Sequence, residues 1–232
     1  MKTPTLLHCA DDFAAQAAAF LRPEIAQAVT RHAICRLALA GGNTPRAIHG
    51  QLVETGRDLP WDRVQITFGD ERGVPPDHAD SNYRMARESL LDRVPIPAGN
   101  VFRIEGESEP EAAARRYEAR LAAVAARFGE PRYVHELLLL GVGEDGHTAS
   151  LFPGSPALDE TARSVLPTLG PKPPPQRITM TFPLLNAARH VCFLVAGSDK
   201  RGVVEQILAG DERYPAARVR AARITWLLGW AA

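Results

Sequence analysis

The chain has 232 residues, 45% of them apolar and 23% charged, an ordinary globular composition with length for one large α/β domain or two small ones. Its 27 lysines and arginines balance 27 aspartates and glutamates, so no overall field draws it to nucleic acid or an anionic membrane, and an anionic ligand must be gripped locally. No apolar run reaches the roughly 20 residues of a membrane span. The start lacks the basic and apolar regions of a signal peptide, and Cys9, Cys35 and Cys192 show no paired spacing, so a cytoplasmic protein with reduced, buried thiols is expected.

Residues 6–9 fit a short first strand. Residues 11–30 are alanine-rich, with Phe13, Ala17, Phe20, Leu21, Ile25 and Ala28 near helical spacing, and Pro23 is expected to kink this helix or split it. RLALA at 36–40 reads as a strand. It runs into Gly41, Gly42, Asn43, Thr44 and Pro45, and a helix with Ile48 and Leu52 follows, Thr44 serving as N-cap and Pro45 as first helical residue. Paired glycines let backbone N–H groups approach a ligand, and a helix N-terminus adds partial positive charge. The unit therefore makes a cradle suited to phosphate, although a tight turn without a ligand would use the same glycines.

VQITF at 64–68 is the next strand, and the charged run Asp70-Glu71-Arg72 after it reads as a loop. Either the loop is merely solvated, or Arg72 supplies a bidentate phosphate contact oriented by the neighbouring carboxylates. Ser81 caps a helix with Tyr83, Ala86 and Leu90 on one stripe, and residues 101–104 are a candidate strand. Residues 109–128 form a helix whose buried stripe is Tyr117, Leu121, Val124 and Phe128.

Four leucines at 137–140 have the uniform apolarity of a strand buried on both faces. Gly141 and Gly143 end it in a turn, and Asp145, Gly146, His147, Thr148 and Ser150 follow at once. A carboxylate and an imidazole thus sit at the carboxyl end of a core strand, where open α/β sheets place their ligand crevices. Residues 153–175, rich in proline and glycine, read as an irregular excursion. RITMTF at 177–182 alternates like a half-exposed strand, VCFLVA at 191–196 is a buried strand, and Gly197-Ser198-Asp199-Lys200 opens a helix. A lysine in a first helical turn opposes the helix dipole, which suggests a bound anion. Residues 224–228 close the sheet, with Trp226 and Trp230 as packing residues. The pattern predicts one α/β domain over residues 1–232, an open, mostly parallel sheet with helices on both faces in a Rossmann-like three-layer arrangement. The polar clusters after four strands then share one sheet edge.

Gly141, Gly143 and Gly146 also match a dinucleotide fingerprint, but Pro153, Gly154 and Pro156 leave no room for the long helix it must open, so NAD is not expected. Ser150 lacks a nucleophile-elbow context, and Asp145, His147 and the Asp77-His78-Asp80 loop have no metal-like spacing. His8, His32, His49, His135 and His190 lie in no polar constellation and read as structural or solvated.

The segments GGNTPRA, GDERGVPPDHADSNYR, LLGVGEDGHTASLFPG, RITMTFPLLNAA and FLVAGSDK, in that order between about residues 37 and 208, resemble the 6-phosphogluconolactonase family, cytoplasmic enzymes related to glucosamine-6-phosphate deaminases. The resemblance implies a parallel α/β fold and hydrolysis of 6-phospho-D-glucono-1,5-lactone to 6-phosphogluconate in the oxidative pentose phosphate pathway. It implies no cofactor, no metal, no nucleic-acid or membrane partner, and a monomer or small homo-oligomer. It makes His147 the catalytic base with Asp145 beside it. Gly41, Gly42, Asn43 and Thr44 become the phosphate loop, Arg72 and Lys200 phosphate ligands, and Asp70 and Asn82 further substrate-binding residues. Asn43 stands where the family often has serine, and its amide can still donate. The related deaminases carry a glutamate where this chain has Phe152, which argues against that alternative.

Overall fold

Uniformly apolar runs of four or five residues can be buried only if both their faces are covered, and this dictates the architecture. In a computed structural model, which describes residues 3–232, the elements run β1 (Thr5–His8), α1 (Phe13–His32), β2 (Cys35–Leu39), α2 (Asn43–Thr55), β3 (Val64–Phe68), β4 (Asp70–Arg72), α3 (Asn82–Ser89), α4 (Pro110–Arg127), β5 (Leu137–Leu140), β6 (Val165–Leu169), β7 (Gln176–Met180), α5 (Phe182–Leu185), β8 (Val191–Val195), α6 (Arg201–Leu208) and β9 (Ile224–Leu228). Six strands form a parallel sheet in the order β1-β9-β8-β5-β2-β3. Every residue of β2, β5 and β8 is buried. Helix α1 packs against α2, and α2 against α3. The expected α/β class, a mostly parallel sheet covered by helices, is what is found. No helix among the described residues is long and apolar enough to cross a membrane.

Several local expectations need correction. Pro23 does not split α1, which runs unbroken past it. Its ring faces solvent, while Ala17, Ala18, Leu21 and Ile25 bury the opposite side and offset the lost hydrogen bond. Helix α2 begins at Asn43 with Gly42 as N-cap, not Thr44, because Gly42 takes a φ of 103° that favours glycine. Residues 101–104 contribute only a single bridge, Ile66 to Val101. Phe128 lies past the end of α4 and is 46% exposed, its ring under the Arg36 guanidinium instead of in the core. The last strand, Ile224–Leu228, joins the parallel sheet as expected. It inserts between β1 and β8.

The largest departure is a second sheet. Asp70–Arg72, read as a loop, is β4, and residues 165–169 of the supposed irregular excursion are β6; both flank β7 in an antiparallel sheet ordered β4-β7-β6. Pro167 hides β6 in the sequence, and proline is tolerated there because β6 is an edge strand. As the central strand, β7 is buried from Arg177 to Met180 instead of half-exposed, with α4 packed against it.

Two adjacent carboxylates join this small sheet to α3 and to the turn after β5. Glu71, 2% exposed, accepts hydrogen bonds from the backbone N–H groups of Arg72, Asn82 and Tyr83 and from the Ser81 hydroxyl. It thus supplies an anion to the N-terminus of α3, where Ser81 itself caps Arg84. Asp70 accepts from Asn82 Nδ2 at 3.1 Å and from Ser150 Oγ at 2.6 Å. Burial pushes the Glu71 carboxyl upward, against the lowering effect of its backbone donors. Replacing Glu71 by Gln turns an NH2 group toward N–H or O–H donors and should cost about 2 to 3 kcal/mol. Urea unfolding should show a lowered midpoint at unchanged slope, and an unmoved midpoint would remove Glu71 from this role.

Candidate active site

In the parallel sheet, strands β8, β5, β2 and β3 are consecutive neighbours, so the segments that follow them emerge side by side at one edge. The chain steps from β2 outward to β3, then crosses back to β5 on the other side of β2. This reversal is the switch point at which a crevice opens, and it lies between the GGNTP loop and the DGH turn.

The turn after β5 is folded tightly on itself. Gly143 N–H donates to the His147 carbonyl at 2.9 Å, and Gly146, at φ 74°, donates back to the Gly143 carbonyl at 2.9 Å. A Cβ on Gly143 would lie 2.1 Å from His147 Nδ1, so only glycine lets the imidazole settle there. His147 Nδ1 is 2.5 Å from Asp145 Oδ1, which also accepts from the His147 backbone N–H at 3.2 Å. Partial burial pushes the Asp145 carboxyl upward, but the hydrogen bond and charge of His147 and the backbone donors outweigh it and hold the group below the ordinary carboxylate range. An ionised carboxylate only accepts, so Nδ1 carries the proton and, in the neutral ring, Nε2 keeps its lone pair. The Phe152 ring lies 4.5 Å from the imidazole, tilted by 42°. The His147 side chain retains 32% exposure, enough for a small molecule to reach it.

Ser150, in contrast, is buried, and its hydroxyl is committed to Asp70 while its N–H donates to Thr179 Oγ1. It ties the turn to the small sheet and is not poised as a nucleophile. The other titratable candidates are likewise structural. Burial lowers His49 to about 4 and, with Arg36 nearby, His135 to about 3, so both stay neutral and bond Ser89 and Thr67. His190 lies between Glu24 and Thr225.

Of the expected anion ligands, Lys200 reaches the turn directly. Its Nζ donates to the Val142 carbonyl at 2.9 Å, which uses one of three protons and leaves two. Gly41 lies against Asn82, whose Oδ1 would be 2.1 Å from a Cβ added there. The N–H groups of Asn43 and Thr44, in the first turn of α2, have no intrahelical partner. Asp70 and Asn82 are buried and bonded to each other beneath this loop. Arg72 is held by the Asp80 carbonyl at 2.8 Å, not by carboxylates as expected, since Glu71 bonds the Arg72 backbone instead.

One cation escaped the sequence reading. Arg177 is the direct cross-strand partner of Arg72, and its Nε lies 3.1 Å from a Cβ position at Gly170 that also touches the Phe152 ring. Its signal was the phase of RITM, which sets Arg177 and Thr179 on one face and Ile178 and Met180 on the other. A cavity of about 600 Å³ opens beside Asp145 and Phe152, bounded by Ser155, Thr168, Leu169 and Pro171. The proline-rich excursion therefore forms one wall next to the imidazole.

Residues 8–227 match the family model described as glucosamine-6-phosphate isomerases/6-phosphogluconolactonase. The chain is 41% identical over 209 residues to a 6-phosphogluconolactonase of Synechocystis sp., covering 88% of this chain and 85% of that one. It is 42% identical over 225 residues to the Homo sapiens 6-phosphogluconolactonase, covering 90% and 86%. The crystal structure of 6-phosphogluconolactonase from Thermotoga maritima superposes with a TM-score of 0.85 at 29% identity, over 97% of this chain and 99% of the other. With the model matched across nearly all of its length, the chain belongs to the family of glucosamine-6-phosphate isomerases and 6-phosphogluconolactonases.

Proposed function

We propose that this protein is a 6-phosphogluconolactonase, hydrolysing 6-phospho-D-glucono-1,5-lactone to 6-phosphogluconate in the oxidative pentose phosphate pathway. The observation that carries the reading is the Asp145–His147 pair, accessible at the switch point with Nε2 free, beside loops rich in anion donors. A lactone is an activated ester, and a positioned imidazole suffices for its hydrolysis. Nε2 of neutral His147 takes a proton from water as the oxygen attacks C1. The bond from C1 to the ring oxygen then breaks, and the imidazolium returns its proton to that oxygen, which leaves as a hydroxyl. Asp145 holds the ring in the required tautomer and stabilises its charged form.

In this reading the phosphate is gripped by the N–H groups of the Gly41–Gly42–Asn43–Thr44 loop, by Arg72 and by the two free protons of Lys200, while Asp70 and Asn82 support the loop from below. A deaminase or isomerase needs an acid–base group for ring opening near the imidazole. Phe152 offers none and packs its ring there instead. We read residues 1–232 as one domain, supported by a single buried core that draws on both sheets, and place it in the cytoplasm. Lactone loss measured with the purified protein, against spontaneous hydrolysis, tests the activity directly. A rate equal to background would overturn it.

His147→Ala should lower kcat by about 100- to 10,000-fold while leaving 6-phosphogluconate affinity within a few-fold of wild type. The base acts only when neutral, so the wild-type profile should carry a limb on which protonation of the base lowers the rate, and His147→Asn should lose that limb. A variant that keeps the profile would remove His147 from the mechanism.

Gly143→Ala should displace the imidazole from Asp145 and reduce kcat much more than it alters far-UV circular dichroism. Equal activity of this variant would show that the tight packing at Gly143 is not needed. Lys200→Ala should chiefly weaken binding, by about 10- to 150-fold for the loss of a charge-assisted contact. Calorimetric titration with 6-phosphogluconate reads this, and unchanged affinity would exclude Lys200 from the phosphate site.

A further inference from the structure

Arg72 and Arg177 are Cα partners in the β4–β7 ladder. Side chains so paired leave the same face with their Cβ atoms about 5 Å apart, and like charges placed in this way repel. One ladder step away on that face, Asp70 and Thr179 are partners too, and both bond Ser150 in the turn that carries His147. The two guanidiniums therefore face the candidate active site.

Neither arginine has a carboxylate within salt-bridge distance among the described residues. Arg177 is 8% exposed, yet its only side-chain bond goes to the Lys172 carbonyl at 3.3 Å, and its Nε has no partner. The Nε of Arg72 is likewise buried and unpartnered. Of the nearby carboxylates, Glu71 is bonded to the start of α3 and Asp70 to Asn82 and Ser150, while that of Asp80 lies beside His78. Burial and then the Arg72 charge push Arg177 below the ordinary guanidinium range, against the pull of Asp70, Asp80 and Glu71; since arginine does not give up its proton, this registers as the cost of burying its charge beside another cation. A cation pair with one member buried, the other half-buried, and no salt bridge to either is costly unless something anionic joins it.

We propose that Arg177 is a further anion-binding residue, and that Arg72 and Arg177 together form a two-guanidinium site for a phosphate dianion. The identity of that dianion as the substrate's phosphate rests on the lactonase reading above. The existence of the site does not. Two planar forks can each direct N–H groups at one tetrahedral anion, and the repulsion relieved on binding adds to the grip.

The test compares thermal unfolding in inorganic phosphate and in chloride at equal ionic strength, for wild type, Arg177→Met and Arg177→Lys. Phosphate should raise the wild-type Tm. Arg177→Met should melt no lower than wild type in chloride, because it removes an unpaired charge, yet lose most of the phosphate shift. Arg177→Lys should fall between them, keeping the charge without the fork. Calorimetry with 6-phosphogluconate should give a Kd about 10- to 100-fold higher for Arg177→Met.

A wild type indifferent to phosphate, or an Arg177→Met that melts lower with its phosphate shift intact, would make Arg177 a packing residue and overturn the site. Should Arg177→Met not fold, Arg177→Lys decides by the same shift, and an undiminished one overturns the proposal. A wild type without lactonase activity overturns the reaction alone, leaving the phosphate shift and its loss in the variant. An active wild type whose phosphate response survives in the variants overturns the arginine pair alone.

Discussion

The buried pair Asp70 and Glu71 is the constraint on which the site depends. A short charged segment at the end of β3 would ordinarily be solvated. Here it can be buried because both carboxylates find donors in place of water, Glu71 at the start of α3 and Asp70 on Asn82 and Ser150. Those bonds hold three segments in fixed relation: the small sheet, the helix that supports Gly41, and the turn that carries His147. An ionised group buried without such partners would cost several kcal/mol, so the arrangement is cooperative and the partners are not separately dispensable.

The same turn separates groups that look equivalent in sequence. His147 and Ser150 lie three residues apart, yet the hydroxyl is buried and spent on Asp70 while the imidazole stays accessible with one nitrogen free. Asp145 faces it from one side and the Phe152 ring from another, so the ring is oriented by a charge and confined by an apolar surface. Gly143 makes the geometry possible by having no side chain where the imidazole must lie.

The positive side of the site is organised differently. Its cations do not neutralise neighbouring carboxylates but are held by carbonyl oxygens, Lys200 by Val142, Arg72 by Asp80 and Arg177 by Lys172. Carbonyls orient a cation without forming a salt bridge, which suits the proposed anion site. In a chain with no net charge, the proposed anion site draws its positive charge from these cations.

Much of this was legible in the amino-acid order. Uniform apolar runs such as the four leucines of β5 have one stable environment, a strand covered on both faces, and glycine-rich polar clusters behind such runs have one place to go, the carboxyl edge of a parallel sheet. The parallel sheet and the place of the His147 turn after its central strand follow from those local rules. Long-range pairing does not. Asp70–Arg72 is a strand only because β7, more than a hundred residues later, lies beside it, and Pro167 disguised the third strand of that sheet. Phe128 looked like a core residue by its helical phase, but α4 ends before it. The burial of Arg177 and its registration opposite Arg72 exist only once two distant segments meet, because repulsion and desolvation belong to a pair of positions in space and not to either stretch of sequence.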